Sequence, residues 1–510
     1  MQISSWVLLG ALATASTVQA SVLQVIPGEV QPVRRHHRFL RRQSPTNEAA
    51  AAKVHGEQKE CTAAQSPQAD QLQKKLPPNW KVASIVKGDD QANKVWSEIQ
   101  KAGLISGIQP RKGVQDNSGI DPSATKAYNV DQDPDCWWSA TQCTKPKHHN
   151  IPTDLTTCSE PDTWGLSFDD GPNCTHNEFY DFMQKNKLRA SLMYIGSNVV
   201  NWPYQAQRGL ADGHDICVHT WSHKYITTLN NEQVFAELYY TIKAIKGVIG
   251  VTPRCWRPPF GDVDDRVRGI AAGLGLRTII WEADTDDWNI KPVGQVPTEQ
   301  IAKNYQSIIG LAKQSKSPMV LTHEINALTM EQFQKQYPKI KQAFKNVVPL
   351  TACVGATHPY PEGITYPSFK QLTSGNLKVE GLPNGKSMSI DPNPKFTPTP
   401  LSKQGQYSYF NPSQKGGKGS GSSGSGGSRG SGGSGGSGGS SGPSGSSGSS
   451  GSGGSSGSGS NGGSQSSGST GSNNGSRSAS SNGASAGAHV QKALGVFTAV
   501  AAVCLTLTFI

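Results

Sequence analysis

Between residues 155 and 355, short apolar runs alternate with longer stretches in which apolar residues recur at helical spacing. Residues 163–168, 190–195, 215–219, 276–281, 319–323 and 347–350 read as strands, and 231–248, 298–313 and 330–344 as the amphipathic helices between them. Strand and helix in repeated alternation predict an α/β fold with a parallel sheet or barrel. About 200 residues lies at the lower end for a closed (β/α) barrel, so a distorted barrel, with a strand missing or displaced, is the expected architecture.

The pattern stops on both sides of this region. Residues 43–150 hold Trp80, Trp96, Trp137 and Trp138 but no chemical motif, and read as an ordered N-terminal extension packed on the barrel. Residues 357–415, rich in Pro, Ser, Lys and Tyr, show no period and read as an irregular, partly ordered connector. From 416 to 488 the chain is almost entirely Gly and Ser, too poor in apolar side chains to offset the entropy of ordering, and is expected to be a disordered stalk.

The two ends are apolar. Residues 1–20 carry the run Trp6-Val7-Leu8-Leu9 and close on Val18-Gln19-Ala20, the form of a secretory signal peptide. Upstream of 489–510, small residues at Asn482-Gly483-Ala484 are followed by a polar spacer and then the apolar tail. This is the order of a glycosylphosphatidylinositol (GPI) attachment signal, with Asn482 as a candidate attachment residue. A plain membrane anchor is the alternative, although the tail is near the lower length limit for spanning.

Charge and cysteine content then fit a secreted chain. Of the formal +11, five arginines sit in the stretch Arg34 to Arg42, which belongs to a possible propeptide at 21–42, so the charge is no nucleic-acid footprint. Nine cysteines, less Cys504 in the tail, leave an even eight. Cys136 and Cys143 are close enough for a local bridge, and Cys158 and Cys353 could staple the ends of the barrel region. Cys61, Cys174, Cys217 and Cys255 stay unpaired at this stage, Cys217 reading as a buried thiol in a strand. Asn173 and Asn474 fit the N-glycosylation acceptor pattern.

Chemistry gathers at the ends of the strands. Leu166-Ser167-Phe168-Asp169-Asp170-Gly171-Pro172 places two carboxylates at the carboxyl end of one strand, the face on which βα barrels build their sites. Val218-His219-Thr220-Trp221-Ser222-His223 offers two imidazoles four residues apart, which with one carboxylate supply three ligands to a metal. Arg257-Pro258-Pro259-Phe260-Gly261, Asp284-Thr285-Asp286-Asp287-Trp288 and Leu321-Thr322-His323-Glu324 are each weak alone. A turn aspartate, a core tryptophan and a structural histidine would explain them as well.

Taken together and in this order, the five segments resemble the polysaccharide deacetylase family, carbohydrate esterase family four, and look most like its fungal chitin deacetylases. The resemblance covers about 155–355, inside a catalytic domain placed at 151–356. It implies a distorted (β/α) barrel that hydrolyses N-acetyl groups of chitin. By the same resemblance Asp170, His219 and His223 would hold a divalent metal, zinc before cobalt or manganese. Asp169 would be the general base and His323 the general acid. Arg257 would orient Asp169, Asp287 would tune His323, and Trp288 and Leu321 would wall the acetyl pocket. Phe260 stands where many members have Tyr and keeps the backbone N–H; Glu324 stands where many have Asp. The implied partners are chitin, other cell-wall polysaccharide and, through the GPI lipid, the outer face of the cell membrane. Two rival readings are a family enzyme acting on another acetylated polysaccharide and a non-catalytic wall protein that only binds carbohydrate.

Overall fold

In a computed structural model of the chain, residues 45–401 are described, apart from 63–65 and 106. The segments 1–20 and 21–42, the stalk at 416–488 with Asn474 and Asn482, and the tail at 489–510 with Cys504 lie outside the described residues. Among the described residues no helix is long and apolar enough to cross a membrane.

The N-terminal extension carries helices α1 (Pro67–Gln73) and α2 (Asp90–Lys101). The Asp89 side chain caps α2 by accepting from the Ala92 N–H, and Ala92, Val95 and Ile99, spaced by about one and two turns, form its buried stripe. A disulfide from Cys61 to Cys174 ties the extension to the loop after the first barrel strand.

Eight strands follow: β1 (Thr163–Gly171), β2 (Ser191–Tyr194), β3 (Asp215–Val218), β4 (Cys255–Trp256), β5 (Arg277–Thr278), β6 (Ala283–Asp284), β7 (Met319–Leu321) and β8 (Asn346–Pro349). Every pairing between them is parallel, in the order β5-β4-β3-β2-β1-β7-β6, with β8 beside the first half of β1. The ring does not close by a ladder between β5 and β6. Instead the segment 155–156 crosses that seam. Leu155 N–H donates to Thr278 O (3.0 Å), Ile280 N–H to Leu155 O (2.8 Å) and Met319 N–H to Thr156 O (3.4 Å). The distorted (β/α) barrel expected from the sequence is therefore present, and its distortion is a seam.

The crossover helices are α3 (Asn177–Lys185), α4 (Pro203–Ala211), α5 (Asn231–Ile249), α6 (Asp265–Gly273), α7 (Thr298–Ile309) and α8 (Ala327–Ala343). α5 starts at a capping box of Asn230 and Gln233 and ends at Gly250, whose φ of 91° only glycine adopts cheaply. Along β1 the side chains alternate. Trp164 packs on Tyr305 and Phe344, and Phe168 on Phe179 and Phe333, all on the helical side. Gly165, Ser167 and Asp169 face the other way, toward an interior filled by Met193, Cys217, Cys255, Met319, Val348 and Leu350.

Both bridges anticipated from spacing are made, Cys136–Cys143 and Cys158–Cys353. Cys217 is buried in β3, but it is no free thiol: it is bonded to Cys255 of β4 inside the barrel. Parallel register sets Val218 beside Trp256, which brings the two preceding cysteines together. Residues 357–401 lack long elements and lie on the barrel. Tyr360, Ile364, Tyr366, Ile390 and Phe396 are buried, and the Tyr360 hydroxyl accepts from Ile216 N–H (2.6 Å).

Candidate active site

The carboxyl ends of β1, β3, β4 and β7 deliver the expected side chains to one place. At the end of β1, Asp170 takes φ 72° while Asp169 stays in register with the strand, so the two adjacent carboxylates diverge.

Asp169 is 2% exposed. Its Oδ1 accepts from Arg257 Nη1 at 2.6 Å, and the same nitrogen donates to Ser167 Oγ at 3.0 Å. Arg257, just past β4, is itself fully buried, with Trp281 6.0 Å from its guanidinium. Across the β1/β7 boundary Asp169 stands opposite His323, its N–H donating to Thr322 O (2.9 Å) and its carbonyl accepting from Glu324 N–H (3.0 Å).

Asp170 Oδ1 lies 3.3 Å from His219 Nε2 and 3.0 Å from His223 Nε2. Burial works against its charge, but His223 and His219 outweigh that and hold the carboxyl well below the usual range. The Asp170 carbonyl is fixed by Asn198 Nδ2 at 2.8 Å. His219 Nδ1 donates to Arg257 O at 2.7 Å, which leaves Nε2 as the free lone pair. His223 lies in the loop beyond β3, where Thr220 (φ 61°) and His223 (φ 53°) turn the chain back on itself. The expected ligand pair is thus carried by a tight loop.

These three residues fit a divalent metal. Asp170 Oδ1 is buried with no hydrogen-bond partner, and the three donor atoms lie within 4.8 Å of one another. Ligand atoms about 2.0–2.1 Å from a tetrahedral ion stand roughly 3.3 Å apart, close to the two distances to Asp170. A second cluster, Asp133, Cys136 and Cys143, is no such site, because its two sulfurs are joined as a disulfide.

His323 is held by Asp287. Nδ1 is 2.6 Å from Asp287 Oδ1, and the His323 N–H donates to Asp287 Oδ2 at 3.0 Å. Burial would lower the imidazole's pKa; the Asp287 charge more than reverses this, and it rises to about 9. Trp288, in the short turn Asp287–Asn289, is partly exposed, and Leu321 ends β7, buried. Phe260 has φ 59° and is 41% exposed; its ring stacks on Tyr225 at 4.1 Å and meets His223 edge-on at 4.7 Å.

Glu324 turns away from solvent. It is fully buried, and a Cβ added to Gly171 would collide with its carboxyl. Tyr180 OH donates to Oε2 at 3.0 Å, Tyr194 OH lies 3.1 Å from Tyr180 OH, and His176 Nδ1 is 3.5 Å from Oε2. Burial, joined by the charges of Asp170 and Asp169, pushes this carboxyl well above its usual range. Glu324 thus plugs the space behind the Gly171 turn, with burial favouring its neutral form, a role that only Gly171's missing side chain hinted at. Ser167, within the β1 motif, also holds the site, as do Asn198 and Trp281, which no sequence spacing marks. Asn173 lies at the edge: its amide donates to Ile325 O and its carbonyl accepts from Thr175 N–H at 2.8 Å, so both ends of the side chain are engaged.

Residues 156–279 match the family described as polysaccharide deacetylase. The chain is 44% identical over 350 residues to chitin deacetylase 2 of Cryptococcus neoformans var. grubii, covering 67% of this chain and 75% of that one. It is 52% identical over 242 residues to the chitin deacetylase of Amylomyces rouxii, covering 47% and 57% respectively. Among solved structures, the chitin deacetylase of Colletotrichum lindemuthianum is similar with a TM-score of 0.38 and 26% identity, over 40% of this chain and 92% of that one.

Proposed function

Because the chain belongs to the polysaccharide deacetylase family, we propose that it hydrolyses the N-acetyl groups of N-acetylglucosamine in chitin, giving acetate and the free amines of chitosan. The observation that carries this is the divergence of Asp169 and Asp170: one carboxylate is clamped by a buried arginine, the other faces two imidazoles.

An acetamide must be polarised, attacked by water and relieved of an amine. A divalent metal held by Asp170, His219 and His223 would supply Lewis acidity and a more acidic water. Asp169, aimed by Arg257, takes the proton of the attacking water. The Phe260 N–H is the donor for the oxyanion, since Pro259 before it has none. His323, cationic at neutral pH, gives its proton to the departing nitrogen as the C–N bond breaks. Trp288 and Leu321 wall the space for the acetyl methyl. Replacing Asp169 with Asn should cut acetate release from chitin oligomers by about 10²–10⁴; full activity in that variant would sink the mechanism.

The finer reading takes zinc as the metal, from two imidazole nitrogens and one carboxylate oxygen. Chelation followed by addition of zinc, cobalt or manganese in turn, with acetate release as the readout, decides it. It also takes the enzyme as secreted and held by a GPI lipid at the cell surface, near the wall, from the leader-like and tail-like composition of 1–20 and 489–510. Release from membranes by a phosphatidylinositol-specific phospholipase is the expected result.

A further inference from the structure

Trp137 and Trp138 are neighbours in the N-terminal extension with opposite fates. Trp137 is fully buried, its Nε1 donating to Asp262 Oδ1 at 3.0 Å. Trp138 stays partly exposed at the carboxyl face of the barrel. Its indole lies over Gly261, where any Cβ would collide with it, and meets Trp281 edge-on at 4.9 Å. It therefore spans two walls of the site: Gly261 follows Phe260, which touches His223, and Trp281 flanks Arg257, which grips Asp169.

The loop that presents Trp138 is rigid. The Cys136–Cys143 bridge closes it. Arg268 donates to the carbonyls of both bridged residues, at 2.6 and 2.8 Å, and is itself locked onto Asp154. Trp138 N–H donates to Val263 O (3.0 Å), and Ser139 Oγ donates to Asp262 Oδ1 (2.7 Å). A fixed aromatic face loses little entropy when a ligand settles on it. Pyranose rings offer apolar C–H faces of matching size, and ligand sites are lined by such aromatics beside a few polar groups.

We infer that Trp138 is a sugar-stacking subsite, supplied by the extension and lying outside the family-matched residues 156–279, that takes a pyranose ring of the polysaccharide beyond the reacting unit. The inference rests on the deacetylase reading for the identity of its ligand. A ring bound there helps only chains long enough to reach it, whereas a tryptophan that merely braces the Phe260 turn would serve substrates of every length alike.

The test measures acetate release by Trp138→Ala and Trp138→Phe across chitin oligomers of increasing length, with thermal melting of each variant. Binding of the longest oligomer is measured in parallel by titration calorimetry, in an Asp169→Asn background. Trp138→Ala should lose kcat/KM increasingly with chain length, reaching about fivefold to tenfold through KM, with a matching rise in Kd that Trp138→Phe largely restores. A loss equal at all lengths, or carried by kcat, or an unchanged Kd, overturns the subsite. If the native chain releases no acetate from any oligomer, the deacetylase reading falls, and the binding arm alone still decides for or against Trp138.

Discussion

Asp287 holds His323 at two points, its Oδ1 on the ring Nδ1 at 2.6 Å and its Oδ2 on the backbone N–H at 3.0 Å. The carboxylate thereby fixes both the tilt and the charge of the imidazole, and Nε2 is left to face the site. With its pKa raised to about 9, His323 remains a proton donor through the neutral range.

The alkaline limb of kcat/KM should accordingly fall near pH 9, as the acid form is lost. In Asp287→Asn the partner that most favours the imidazolium is gone, while the burial that opposes it and the weaker pull of Asp170 and Asp169 stay. The limb should then move down from about 9 toward the ordinary imidazole value of about 6.5. A pH–rate profile of both chains on a chitin oligomer checks this; an unmoved limb would assign the titration to another group.

Arg257 binds Asp169 where neither has access to water, so its removal leaves a buried carboxylate without its partner. Arg257→Met should lower stability by about 3–5 kcal/mol and acetate release by about 10²–10⁴. Arg257→Lys, which keeps charge but not the reach to both Asp169 and Ser167, should fall between. Denaturant melts and initial rates measure the two effects separately.

Part of this site was legible because several functional residues sit beside apolar runs. β1 and α5 were readable for that reason, and Asp169, His219 and His323 follow strands that announce themselves. What was not legible depends on pairing. β4 and β6 are two residues each, flanked by prolines or acids, and only their neighbours make them strands. The run at 276–281 pairs in the sheet only at Arg277–Thr278, because the chain then turns to bond Leu155 across the seam. Cys217 with Cys255, Glu324 behind Gly171 and Trp138 over Gly261 are contacts between distant segments, invisible to any local pattern.

The Cys217–Cys255 bridge stands two residues before His219 on one strand and two before Arg257 on the next. His219 Nδ1 donates to Arg257 O at 2.7 Å, so the bridge secures the frame that aims the His219 imidazole, a proposed metal ligand. If His219 is a ligand as proposed, replacing both cysteines with alanine should weaken the binding of added zinc, taken as the probe, by about 10–100-fold, the usual effect of disturbing a ligand's support. Competition against a chromogenic chelator measures it. The Cys136–Cys143 pair, replaced in the same way, should leave zinc affinity within about twofold, since it supports no ligand.

Glu324 gives a prediction with a definite sign. Packed against Gly171 and facing Tyr180, Tyr194 and His176, with the charges of Asp169 and Asp170 nearby, its carboxyl stays protonated well above the usual range. In the unfolded chain it ionises near pH 4.3. The unfolded state therefore binds fewer protons from there upward, and the stability this group contributes is complete below that pH and declines as pH rises toward its raised folded value. Glu324→Gln keeps the shape and an oxygen for the Tyr180 hydroxyl but cannot ionise. It should flatten the neutral-side fall and melt no lower than the native chain at pH 7. Glu324→Ala, which removes the carboxyl that Tyr180 donates to and opens a cavity behind the Gly171 turn, should lose about 2–4 kcal/mol. Urea melts from pH 4 to 8 decide it: a native slope equal to that of Glu324→Gln would mean the buried acid is ionised.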